Sequence, residues 1–276
     1  MALIAVLWII AALSLITLSI GGVVRDEARL AQLARQGTQA GAQGDAAIML
    51  VLQQMSAQPQ VLRLDRQTNL NIQYMGNSIA VQITPLNGLV DINGAPEPLL
   101  VQMYATAAGA DPQTAAALAR ATIEFRTQKN GQGAARNFDV VEDLLQVPGM
   151  SYALYARVAP WITADLRGTG RINPLAAPRE VLLFLARGNA ALADSIALSR
   201  EAGQPGVDTT ALDGSFLDHT ASRLFRLQAR VPVPGGGGQL VSRTITLDGS
   251  TRDGRPPWQT LHAERRIDPG MARPSN

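Results

Sequence analysis

Side chains capable of covalent or metal chemistry are scarce in this chain. It has no cysteine, which removes disulfide frameworks, thiolate zinc sites, iron–sulfur clusters and cysteine nucleophiles. That absence does not fix the compartment, because a chain large enough to bury a core needs no disulfides even in an oxidising space. The two histidines, His219 and His262, have no second histidine at helical spacing, which argues against a histidine-rich metal site. Phosphate-binding GxxxxGK[ST], the GxSxG elbow and HExxH are all missing. Gly168-Thr169-Gly170 lacks the third glycine of a dinucleotide fingerprint and reads as a plain turn. A nucleophile with its base cannot be assembled, so the expectation is that the protein is not an enzyme.

Three short motifs remain. Val147-Pro148-Gly149-Met150 has the look of a helix-hairpin-helix turn, whose backbone N–H groups can hold a DNA phosphate. The second glycine of such a hairpin is Ser151 here, and the following helix carries only Arg157, too little charge to neutralise phosphates. The structural alternative, a glycine turn with Val147 and Met150 in the core, is preferred. Asp91-Ile92-Asn93 and Ile172-Asn173-Pro174 are Asx-containing turns ahead of helices. Their side chains are expected to cap nearby backbone N–H groups and fix how the helical block leaves the sheet.

The elements that would carry these motifs begin with an apolar spike. The whole chain has 276 residues, 46% hydrophobic and 17% charged, with a formal net charge of +2, values ordinary for one or two soluble domains. Yet Met1 to Val24 holds no charge at all. As a helix that stretch spans about 36 Å, enough for a hydrocarbon core about 30 Å thick. A cleaved secretory signal would need a basic leading segment and a shorter apolar core, and a buried core helix is seldom apolar on every face. A membrane span over 1–24 is therefore expected. Arg25 to Gln58 lacks proline and repeats Leu30, Leu33, Ala34 and Gly37, then Ile48, Val51, Leu52 and Met55, at three- and four-residue spacing. The span should continue as an amphipathic rod of roughly 85 Å in all, with Gly21, Gly22, Gly37, Gly41 and Gly44 as places where it could bend.

Beyond Pro59 the pattern changes to strands. Leu70, Ile72 and Tyr74 alternate, then Ile79, Val81 and Ile83, around a Met75-Gly76-Asn77 turn. A second pair joins Leu224–Val231 to Leu240–Leu247 across Gly235–Gly238. The stretch between reads as helical at Glu97–Gly109, Asp111–Arg126, Val140–Leu145, Ser151–Ala159, Pro178–Arg187 and Ala190–Ala202. Strands flanking so large an insertion belong most simply to one antiparallel sheet. The fold class is α+β, with an expected division into 1–24 (span), 25–87 (amphipathic helix and first strands), 88–218 (inserted all-helical domain) and 219–276 (remaining strands and C-terminal tail).

Four stretches in this order and spacing resemble the K class of type II secretion minor pseudopilins (the GspK family): MALIAVLW at the start, GLVDINGAP at 88–96, FDVVEDLLQVPGM at 138–150 leading to Val158-Ala159-Pro160-Trp161, and GRINPLAAPREVLLFL at 170–185. FRLQARV at 225–231 and the Trp258 region are similar too. The resemblance implies a leader cut by a prepilin peptidase after a glycine, with Met1 as the first mature residue. The sequence as written then begins either in processed form or downstream of its true start. It also implies an inner-membrane anchor with a periplasmic body, I- and J-class minor pseudopilins as partners, and membership of the pseudopilus. Nucleic acid is disfavoured as a partner.

Met1, Ala2, Leu3 and Ala5 are the assembly and membrane residues the resemblance points to. Most pilins carry Glu where Ala5 stands here. A carboxylate in the bilayer centre costs about 2.5–3.5 kcal/mol on insertion scales unless it is neutralised. In pilin-like fibres the implied neutraliser is the N-terminal amine of the subunit above, and a subunit with nothing above it has no such partner. The plain alternative, that an apolar span residue needs no explanation, wins on the residue alone; with the four stretches, a place at the tip is preferred. The family is also associated with calcium, the one cofactor implied, for which Asp208, Asp213 and Asp218 are the acidic candidates. After Arg126 no acidic residue appears until Asp139, a departure that counts against a site there, since calcium needs six to eight oxygens. The alternative function from the binding class is a membrane-tethered helix-hairpin-helix DNA-binding protein of the competence type.

Overall fold

The computed structural model describes residues 2–58, 62, 64–129, 133, 135–166, 168–203, 206–233, 237–247 and 256–268; in the first helix, side chains are described at 4, 6–8, 27 and from 29 onward. Helix α1 runs from Ala2 to Ala57, about 84 Å at 1.5 Å per residue, with none of the five glycines ending it. The expected membrane span falls mostly on residues outside the described side chains. Among the described residues no helix is long and apolar enough to cross a membrane. At the four described positions of that stretch, Ile4, Val6, Leu7 and Trp8 are exposed.

The C-terminal half of α1 lies on a five-stranded antiparallel sheet. Its strands are β1 (Thr68–Tyr74), β2 (Asn77–Pro85), β5 (Leu224–Pro232), β6 (Gly238–Leu247) and β7 (Trp258–Asp268), in that spatial order. Ala40, Ala47, Ile48, Val51, Leu52 and Met55 of α1 bury against alternate residues of β2, β5 and β6, including Val81, Leu227 and Val241, because one helical stripe and one strand face can each be wholly apolar. Gly44 is where the two layers come closest. A Cβ there would stand 2.5 Å from Val241 Cγ2 and 3.2 Å from Val231 Cγ2. Asp45, the next residue, is held by Arg243 of β6 and Arg265 of β7 together, a polar clasp at the edge of that core.

β2 and β5 are neighbours in the sheet, yet residues 86–223 intervene between them. The insertion has its own core and carries β3 (Val90–Asp91), α2 (Glu97–Thr106), α3 (Pro112–Thr127), α4 (Tyr152–Val158), β4 (Ile162–Thr163), α5 (Arg179–Leu185) and α6 (Ala190–Glu201). Three of its helices, α3, α4 and α6, begin at side-chain caps: Asp111 Oδ1 accepts from Gln113 N and Thr114 N, Ser151 Oγ from Leu154 N, and Asn189 Oδ1 from Leu192 N. Three expectations are corrected. The insertion is not all-helical, because β3 and β4 pair in parallel; two residues apiece are too short to show a period. Val140–Leu145 is a 3-10 turn at Val141–Gln146, wound around Asp143, whose carboxylate accepts from the amides of Asp139 and Val140. The fifth strand, β7, falls in a region expected only as further strand and tail, and nearly all of its residues are exposed.

Candidate assembly surface and the loop hub beneath it

The Asx turns organise the insertion, and the Asp91 and Asn173 side chains cap nearby backbone N–H groups as expected. Asp91 Oδ1 accepts from Asn93 N at 3.0 Å and Oδ2 from Gly168 N at 3.2 Å. Asn93 Nδ2 donates to Phe138 O and Ala164 O, and its Oδ1 accepts from Phe138 N. Arg126 closes the same turn from α3, donating to Ile92 O and Ala95 O. The turn from Asp91 to Ala95 therefore joins two distant loops and helix α3. Helix α2 starts at a residue without a side-chain cap, Pro96. Asn173 behaves likewise: its Oδ1 accepts from Leu175 N, and its Nδ2 reaches Asp65 O and Thr220 O at 3.4 Å, joining the insertion to the loop before β1 and to the segment leading into β5. Pro174 follows within the turn, and α5 starts after Pro178 with no side-chain cap.

Burial raises the Asp91 pKa above the usual carboxylate value, with the hydrogen bonds from Asn93 and Gly168 and the charge of Arg126 opposing. A native pKa above the unfolded value of about 3.9 means stability is present at low pH and lost as pH rises through the native value. An Asp91→Asn variant, which cannot titrate, should lose stability relative to wild type by a margin that widens from pH 7 to pH 4. Calorimetric melting of both proteins at the two pH values checks this; a margin that narrows on acidification contradicts it.

Pro148 and Gly149 form the tight turn of the hairpin motif: Met150 N donates to Val147 O at 3.0 Å, and Gly149 has φ +85°. Val147 is buried and Met150 half-buried on the insertion's core. The one basic residue of the next helix, Arg157, donates to Ala108 O at 2.7 Å. With that guanidinium engaged, the hairpin offers little to a phosphate.

The three candidate calcium ligands are not gathered. Asp208, Asp213 and Asp218 each accept from the amide two residues on, Thr210, Ser215 and Thr220. The Thr210 hydroxyl and amide hold Asp208 below the usual carboxylate range, and those of Ser215 do the same for Asp213. Arg187 also takes the second oxygen of Asp213 at 3.2 Å. Among the described residues no three acidic or histidine side chains could hold a metal together, so this donor set does not fit calcium. His262 pairs with Asp165 at 2.7 Å, tying β7 to the insertion. Arg226 of β5 does the same nearby, donating to Pro160 O and Ile162 O at 3.0 Å.

Of the N-terminal candidates, Met1 lies outside the described residues, as do the side chains of Ala2, Leu3 and Ala5. The surface that sequence reasoning missed is further along α1. Between Gln36 and Ala57 the only charged residue is Asp45, and both its oxygens are clasped by arginine. The outward stripe through Thr38, Gln39, Ala42, Met49, Leu50 and Gln53 is exposed, with Met49 at 48% and Leu50 at 42%. A solvated helix face ordinarily carries charges. Six turns without a free one, with small residues beside two exposed large apolar ones, set this face apart from an ordinary solvated helix face.

No protein-family model and no curated protein sequence matches the chain. Among solved structures, it is similar to a chain in the crystal structure of the GspK–GspI–GspJ complex from the enterotoxigenic Escherichia coli type 2 secretion system. The TM-score is 0.53 and the identity 17%, over 87% of this chain and 99% of that one. At that identity the likeness is one of fold. It agrees with the resemblance read from the four sequence stretches, and the chain has the architecture of a GspK-like pseudopilin.

Proposed function

We propose that this protein is a K-class minor pseudopilin that starts assembly of the type II secretion pseudopilus at its tip, in a non-enzymatic role. The observation that carries the reading is a helix-on-sheet pilin-like domain split between β2 and β5 by a large, mainly helical insertion, an architecture that matches nearly the whole of a chain from a minor pseudopilin complex. In this reading residues 1–24 anchor the chain in the inner membrane after cleavage by a prepilin peptidase, and the body lies in the periplasm. I- and J-class minor pseudopilins seat on the charge-free stripe of α1. The insertion then forms a bulky cap above which no further subunit stacks, and subunits added beneath push the complex outward. Deleting the gene should stop type II-dependent export, and adding it back should restore it; export at wild-type level in the deletion strain removes the proposal.

The tip position has its own test at Ala5. A glutamate there has no subunit above to neutralise it, so Ala5→Glu leaves a carboxylate in the bilayer at about 2.5–3.5 kcal/mol. Complementation of the deletion strain by Ala5→Glu should fall to a small fraction of wild type. Full export by the variant places the subunit elsewhere in the filament.

A further inference from the structure

The face of the sheet turned away from α1 is a polar floor under the insertion. Phe225, Leu227, Ala229 and Val231 of β5 point into the core beneath the helix, so Arg226, Gln228 and Arg230 face the other way. The insertion walls this floor at Pro160, Trp161 and Pro178, leaving a cleft of about 620 Å³ that reaches from Asn69 on β1 to Arg266 on β7. Strand register lines up its centre. Asn69 lies opposite Gln82, Gln82 opposite Gln228, and Gln228 opposite Ser242, one row of polar side chains across four strands. The amides of Asn69, Gln82 and Gln228 make no side-chain hydrogen bond to any described residue. Arginines flank the row on both sides: Arg226 in the row before it, and Arg230 and Arg266 in the row after it, either side of Leu240. Arg200 of α6, 4% exposed, closes the far wall. Its guanidinium donates to Leu175 O, Ala177 O and Gln67 Oε1, its Nε has no partner, and Glu201 stands 4.0 Å away. Five arginines thus line the cleft against three carboxylates, Glu180, Glu201 and Asp268. Arg230 reaches Asp268 at 3.5 Å and Arg266 reaches Glu264 at 3.9 Å, ion pairs that exposed arginines give up at little cost.

We propose that this cleft binds an extended acidic segment of a partner polypeptide, laid across the strands of the sheet. Side-chain amides offer both the donors and the acceptors that a peptide backbone needs, and guanidinium groups match carboxylates bidentately. Length and charge together commit the occupant. Five strands about 4.8 Å apart span about 19 Å, the reach of six extended residues at about 3.3 Å each; a single small anion leaves most of the amide row unused. With the backbone edge of the segment on the amides, alternate side chains point to the two flanks, where Arg226 stands on one side and Arg230 and Arg266 on the other. The neighbouring cavity of about 400 Å³ carries Glu142, Asp165 and Glu264, so the acidic side chains belong in the larger cleft.

The inference is independent of the proposed function. Fluorescence anisotropy of labelled hexaglutamate with the full chain in nonionic detergent micelles tests it. Saturable binding that weakens with added salt is expected, with no binding of labelled hexalysine and no displacement by free glutamate at the same carboxylate concentration. Arg230→Gln combined with Arg266→Gln should weaken binding about tenfold and leave the melting temperature unchanged, because both side chains are exposed. Gln228→Leu, which alters no charge, should weaken it too. Absence of binding, equal binding of hexalysine, displacement by free glutamate, or wild-type affinity in either variant overturns the proposal.

Discussion

Lysine at both Met49 and Leu50 should abolish binding to the I- and J-class partners while leaving the protein folded. Both side chains are about half exposed, so their removal opens no cavity, and lysine is a good helix former. In a docked helix pair the two ammonium groups would lose their water against an apolar surface. The cost expected for two central interface positions is about 3 kcal/mol, roughly a hundredfold in Kd. Calorimetric titration reads the affinity, and thermal melting reads the fold. A double variant that binds as wild type does would move the interface off this stripe. One that melts far below wild type would show that the stripe supports the monomer itself.

Alanine at Gly170 is expected to do the opposite, leaving the helix-on-sheet half intact and wrecking the insertion. Gly170 has φ +70°, and a Cβ there would sit 2.0 Å from Gly94 O and 2.4 Å from Ala95 N. These are backbone atoms of the turn that Asp91, Asn93 and Arg126 hold in place, so no flexible side chain can give way. Left-handed strain of 1–2 kcal/mol adds to the displacement of that turn and to the buried N–H groups it strands, each about 1–3 kcal/mol. The total is on the order of 5 kcal/mol, a large part of the stability of an ordinary domain. Limited proteolysis should find rapid cleavage across 86–223 with α1 and its sheet protected. Wild-type resistance in the variant would mean that the close approach of the two glycines is not required.

Much of the architecture was legible because it depends on period and punctuation. The alternation around Met75-Gly76 gave the first hairpin, the three- and four-residue spacing through Ile48, Val51, Leu52 and Met55 gave the face α1 buries, and Asp111 and Ser151 marked helix starts. Strand β7 was hidden for a physical reason. An edge strand exposed on both faces has no apolar alternation, and Trp258–Asp268 reads as a polar tail. The two-residue strands β3 and β4 carry no periodic signal at all. The hub was half visible: Asp91 and Asn93 were singled out as caps for nearby backbone N–H groups, which Asp91 is for Asn93 N. Their partners at Phe138, Ala164 and Gly168 lie 45 to 77 residues away, and local sequence does not encode such pairings. The charge-free stripe was in plain sight, since one charge in twenty-two residues can be counted directly. Its meaning needed the structure, which shows that this lone Asp45 is neutralised by Arg243 and Arg265 and that the stripe faces outward.

On the proposed function, this body is the platform on which the I- and J-class pilin-like subunits assemble. Residues 25–276, which exclude the apolar spike, should be mixed with the soluble domains of the I- and J-class minor pseudopilins from the same organism and passed over a sizing column with light scattering. One peak at the summed mass of all three is expected. Three separate peaks at micromolar concentration, each at its own monomer mass, would contradict it.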